Sequence, residues 1–207
     1  HEMIKDKFGP VELNYNPIDF TQNFIKLYSR LEPEFSFRDI YIRKSLDQNL
    51  PMIEMPEEII EKVMTGILKN AIENTPDKGR IEVSITADQN GVIFSVKDFG
   101  VGIEVEARKR IFEGFFSTQE TLDYSTKTPF AFNAGGKGAD LLRMKIFADR
   151  FGFSLSMTSQ RCVFLEKNTD ADCPGDIKNC QFCTETKDCI ESGHTMFKVF
   201  FPIKKNK

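Results

Sequence analysis

Apolar residues recur at helical spacing over 18–31, where Ile18, Phe20, Phe24, Ile25, Leu27, Tyr28 and Leu31 share one face, with Pro17 near the first turn and Pro33 just past the last. The spacing predicts an amphipathic helix. The alternation of Ile40 and Ile42 within 37–46 predicts a strand, broken by Asn49-Leu50-Pro51. A second helix is expected over 56–74, burying Ile59, Ile60, Val63, Met64, Ile67, Leu68 and Ala71 and stopped by Thr75-Pro76-Asp77-Lys78-Gly79. Period-two segments at 80–87 and 92–98 flank Asn90-Gly91, a strong hairpin signal. A short helix is expected over 104–112, and the polar stretch 117–134 has no clear period, as in lids. A third main helix is predicted over 138–151, ended by Gly152, with strands at 153–158, 162–166 and 196–203.

These elements make an α/β fold. With 207 residues and 40% hydrophobic content the chain can bury one full core, so residues 1–207 read as a single domain, with 167–194 inserted between the last two strands. A net charge of −3 and the lack of a long basic block exclude a nucleic-acid coat. No apolar run approaches the roughly 18–20 residues that cross a bilayer, so no membrane contact is expected and a cytoplasmic location follows. The start of the chain reads as a cut from a longer protein, whose remainder could carry a membrane anchor.

Four segments carry candidate chemistry, in order: KNAIENTPDKG at 69–79, VKDFGVGI at 96–103, IFEGFF at 111–116 and GGKGADLL at 135–142. An Asp-x-Gly-x-Gly match alone is as easily an ordinary turn. The ordered set resembles the N box, first glycine box, phenylalanine box and second glycine box of the ATP-binding catalytic domain of sensor histidine kinases, in the Bergerat-fold GHKL superfamily. The resemblance implies a two-layer sandwich of a mixed, mostly antiparallel sheet and three main helices, and transfer of the ATP γ-phosphoryl group to a histidine on an adjacent dimerisation domain and onward to a response regulator. His1 and His194 are the only histidines, so that acceptor is expected outside this chain.

Asp98 is the candidate adenine partner, since an ionised carboxylate accepts from the exocyclic amine. Gly100 and Gly102 would let the backbone approach the base. Asn70 corresponds to the N-box asparagine, implying a Mg²⁺ ligand through its amide oxygen. Gly135, Gly136 and Gly138 precede a helix whose N–H groups would meet the phosphates, with Lys137 adding a cation. Phe112, Phe115 and Phe116 are read as packing. Three departures stand out. Gly66 occupies the place of the general base found in hydrolysing members, which argues against efficient ATP hydrolysis but is compatible with a kinase. Gln119 replaces a lysine at the start of the lid, and Asp140 replaces the last glycine of the second glycine box.

Cys173-x6-Cys180-x2-Cys183-x5-Cys189 lies in the predicted insertion. A Cys-x2-Cys knuckle with two flanking thiols suits a tetrahedral metal, Zn²⁺ or an iron–sulfur cluster, while redox-active thiols or no ligand at all are the alternatives. Cys162 is expected to be a small buried apolar residue in a strand. Two competing readings therefore accompany the kinase: a degenerate nucleotide-binding module without transfer, and a metal or redox sensor that uses the ATP fold as scaffold.

Overall fold

The computed structural model describes residues 14–108, 110–111, 128–134, 139–165 and 173–203. In chain order the elements are β1 (Tyr15–Ile18), α1 (Phe20–Phe35), β2 (Tyr41–Leu46), β3 (Ile53–Pro56), α2 (Glu57–Asn74), β4 (Arg80–Asp88) and β5 (Gly91–Asp98). They continue with α3 (Val105–Arg108), α4 (Ala139–Phe151), β6 (Ser154–Gln160), a 3₁₀ turn (Ile177–Asn179), α5 (Thr186–Ser192) and β7 (His194–Pro202).

Among the described residues, the main sheet has five strands in the order β2-β4-β5-β7-β6. Only β2 and β4 run parallel; the β4–β5, β5–β7 and β6–β7 pairs are antiparallel. The expected mixed, mostly antiparallel sheet is therefore present. Alternation sorts its faces. Ile81, Val83 and Ile85 of β4, Val92, Phe94 and Val96 of β5, and Phe197, Val199 and Phe201 of β7 are all buried toward the helices. Phe20 of α1 packs 4.9 Å from Phe201, and Phe24 packs 5.8 Å from Phe94 between ring centroids. Each fully buried ring of this kind contributes about 1.5–3 kcal/mol. α2 lays Ile60, Val63, Met64, Ile67 and Leu68 into the same core, and α4 adds Leu141, Met144 and Ala148.

Several boundaries differ from the expectations, each for a local reason. α1 runs through Pro33 to Phe35. The buried Phe35 ring, 6.0 Å from Tyr28 and 5.8 Å from Phe130, holds that last turn, and Ser36 donates its hydroxyl to the Pro33 carbonyl. β2 begins at Tyr41 because Arg38 turns inward to the end of α2. Residues 162–165 form a turn, not a strand, closed by the Leu165 N–H on the Cys162 carbonyl. Cys162 leaves the sheet edge to donate its own N–H to Val101, so it is half-buried at a loop junction rather than a strand residue. The small β1–β3 ladder was not expected.

Candidate nucleotide site

The inward register of β5 continues past Val96 to Asp98, which sets a carboxylate on the apolar face at the strand's end. Its pairing partner in β7 is Thr195, whose neighbour in β6 is Ser159. All three are buried, so a polar row crosses three strands where the hydrophobic face stops. The Ser159 and Thr195 hydroxyls lie 3.0 Å apart, and Ser159 accepts the Ile103 N–H at 2.8 Å. Neither Thr195 nor Ser159 was singled out from the sequence. Their only signal is a hydroxyl residue where an alternating apolar strand begins or ends.

Asp98 is 1% exposed and accepts the Gly100 N–H at 3.2 Å. Burial raises its pKa to about 7, against the opposing pull of the Gly100 and Thr195 N–H groups. The site thus holds a carboxylate that changes charge near neutrality, beside hydroxyls able to orient a ligand or water.

The glycines after Asp98 serve the loop itself. A Cβ on Gly100 would lie 1.9 Å from the Asn74 carbonyl oxygen, and one on Gly102, whose φ is +66°, would lie 1.9 Å from that of Gln160. The space expected for a base is filled, at those two Cβ positions, by the protein. What the glycines allow is the seating of the loop on the end of α2, where the Asn74 carbonyl also accepts the Val101 N–H at 3.3 Å. Asn74 in turn donates its amide to the Asn70 carbonyl at 2.8 Å and stands 3.4 Å from the Asn70 Oδ1. Asn70 and Asp98 are linked through Asn74 and Gly100. The half-buried Asn70 side-chain oxygen suits a hard cation such as Mg²⁺.

A cleft of about 540 Å³ runs between α2 and α4, lined among others by Gly66, Lys69, Asp140, Arg143 and Met144. It adjoins the N box, and Asp98, Gly100 and Gly102 do not line it. A Cβ on Gly66 would meet the Met144 methyl at 3.0 Å, so α2 and α4 approach closely where a general base would otherwise stand. Asp140 sits in the first turn of α4, a favourable end for an anion, with Lys69 at 4.0 Å and Arg143 at 3.5 Å. Gly135, Gly136, Lys137, Gly138, Phe112, Phe115, Phe116 and Gln119 lie outside the described residues.

One further group frames the site. Glu73, 5% exposed, accepts the Phe130 N–H at 3.1 Å and pairs with Lys69 at 3.7 Å; burial raises its pKa. Arg38 bonds Asp77 at 2.8 Å and the carbonyls of Ile72, Phe130 and Thr75 at 3.0, 2.7 and 2.6 Å. Together they tie residues 128–134 to the end of α2.

The five cysteines gather around one small cavity, with Cys162 joining the four from the sequence cluster. Burial pushes the Cys183 and Cys189 thiols up to about 12. The thiols are not drawn into a ligand set: among the described residues, no group of three or more His, Cys, Asp or Glu is placed to hold a metal ion. Nor is any described helix long and apolar enough to cross a membrane.

Residues 55–203 match the family described as histidine kinase-, DNA gyrase B-, and HSP90-like ATPase. The adaptive-response sensory kinase SasA of Gloeothece citriformis (strain PCC 7424) is 37% identical over 93 residues, covering 44% of this chain and 24% of SasA. Sporulation kinase A of Bacillus subtilis (strain 168) is 34% identical over 90 residues, covering 44% of this chain and 15% of that kinase. The chain therefore spans about a quarter or less of these relatives' length. Full-length ShkA, solved in complex with AMPPNP, has a TM-score of 0.63 at 19% identity, over 94% of this chain and 33% of ShkA. That likeness is one of fold. With the family match covering well over half of its residues, the chain belongs to the histidine kinase-, DNA gyrase B- and HSP90-like ATPases.

Proposed function

We propose that this chain is the ATP-binding catalytic part of a two-component sensor histidine kinase, passing the γ-phosphoryl group of Mg-ATP to a histidine on an adjacent dimerisation domain. A response regulator would receive the phosphoryl group next. The observation that carries the reading is Asp98: a carboxylate at the buried end of β5, next to Thr195 and joined through Gly100 and Asn74 to Asn70. The adenine amine would donate to Asp98, and Asn70 would hold Mg²⁺ together with the phosphates. Gly135, Gly136, Lys137 and Gly138 are assigned to the phosphates on the resemblance alone. The relatives named as kinases favour this reading over passive binding. A cytoplasmic location agrees with the chemistry of ATP use.

The close approach of Gly66 to Met144 favours transfer over hydrolysis, since no side chain there can activate water. It equally suits a module that binds nucleotide without transfer. Calorimetric titration with a non-hydrolysable ATP analogue, with and without Mg²⁺, tests the site. Asp98→Asn is expected to weaken binding roughly tenfold to a hundredfold, the loss of one charge-assisted bond. Unchanged affinity would remove Asp98 from the site. Phosphoryl transfer by the full-length protein to its own histidine then separates kinase from binding module.

A further inference from the structure

Of the side-chain clusters outside the nucleotide site, the cysteine cavity has the most distinctive chemistry. Cys173 precedes the turn at Gly175, Cys180 caps the 3₁₀ turn, Cys183 lies in the next turn and Cys189 is on α5. Cys162 arrives from the end of β6. All five are half-buried cysteines outside any disulfide, lining one cavity of about 30 Å³ together with Pro76, Pro174, Ile177 and Phe182. Cys183 is hydrogen-bonded to both Cys180 and Cys189.

The segment has few other means of holding its shape. Among its described residues from 173 to 193, only Gly175, Ile177, Ser192 and Gly193 are buried, and Phe182 stacks 5.4 Å from Phe164 while remaining 46% exposed. A segment so poor in core gains stability when an ion ties its turns together. The ligand chemistry narrows the ion. Sulfur-rich, nearly carboxylate-free surroundings select a thiophilic cation over Mg²⁺ or Ca²⁺.

We propose that Cys173, Cys180, Cys183 and Cys189 form a closed tetrahedral site for one thiophilic divalent ion, Zn²⁺ in the first instance. Cys162 stays outside the ligand set, because its thiol donates to the Ser192 hydroxyl at 3.3 Å and its backbone is fixed to Val101. Cys183 bonds to Cys180 and Cys189, and Cys173 lines the same cavity. Binding exchanges their protons for the metal and turns the four sulfurs inward, to metal–sulfur distances of about 2.3 Å.

The test uses the whole chain, reduced and stripped of metal, titrated with Zn²⁺ against a chromophoric chelator and separately with Co²⁺. One ion per folded chain is expected, with cobalt giving thiolate charge-transfer bands and the visible absorption of a tetrahedral centre. Cys180→Ser with Cys183→Ser should weaken metal binding at least a hundredfold, while Cys162→Ser should leave both stoichiometry and cobalt spectrum unchanged. Circular dichroism reports the folding of each variant. The proposal is overturned if the folded, reduced wild-type chain binds no stoichiometric ion, or if the double substitution leaves affinity intact. Purification with iron and inorganic sulfide, or thiols that only form disulfides and take no metal when reduced, would overturn it too.

Discussion

Asp98 carries a proton balance that a nucleotide bound there, as proposed, would alter. Its folded pKa of about 7 stands far above the ordinary carboxylate value, so the empty site is partly protonated at neutral pH. An amine donor prefers the ionised form, so binding at the proposed site would expel a proton. Affinity for the ATP analogue should fall as pH drops below about 7, more steeply than in Asp98→Asn, whose residual dependence reports the phosphates. Stability moves the other way. A raised folded pKa contributes stability that is complete below the unfolded value near 4 and is lost as pH rises through about 7. Melting curves of the ligand-free wild type should lose stability over that window, and Asp98→Asn should not show that part of the decline. This residue was legible in the sequence because the alternation Val92, Phe94, Val96 lands on it. Thr195 and Ser159 were not, since which residues stand beside Asp98 depends on the register of strands distant in sequence.

Between elements, Arg38 is the principal fastener. Its side chain is 3% exposed and joins Asp77 to three carbonyls at the end of α2 and in 128–134. Truncation would leave these acceptors buried and Asp77 without this cation, so Arg38→Ala should cost about 3–5 kcal/mol, read from denaturant midpoints. No periodicity marks such a residue: a lone arginine after a helix looks like solvated surface. Pro33 misled for a related reason, because the packing of Phe35 outweighs the hydrogen bond that proline forfeits. Gly66 gives an opposite test. It lies inside α2, and the atom nearest a new Cβ is the flexible end of Met144. Gly66→Ala should therefore stabilise the domain, by up to about 1 kcal/mol from helix propensity, with Met144 giving way slightly. A loss in thermal midpoint would mean that the α2–α4 contact cannot yield.

Across the whole molecule, the cysteine segment and Cys162 meet both the loop after Asp98 and the end of α2. Cys162 donates to Val101, and a Cβ on Gly193 would lie 2.9 Å from the Gly100 carbonyl oxygen. On the other side, Asp77 donates to Gly175 and accepts from Ile177 just beyond α2. If the thiol site holds its ion, removing that ion should weaken ATP-analogue binding at least about fivefold, and the analogue should tighten metal binding by the same factor. Paired titrations test that equality. The sandwich itself was legible from helical and alternating patterns, because long amphipathic segments leave few ways to bury their faces. The cysteine fold was not, since hydrogen bonds and thiols hold its turns where apolar periodicity is lacking.

The order of the strands has a consequence during synthesis. β7, the last of the described strands in chain order, lies between β5 and β6. Until it emerges from the ribosome, β5 has an open edge and Asp98 lacks Thr195. About a hundred residues separate β5 from the end of β7, so at roughly 5–20 residues per second the nascent chain waits some 5–20 s with that edge exposed. Throughout that interval the nascent chain is open to mispairing and to chaperones.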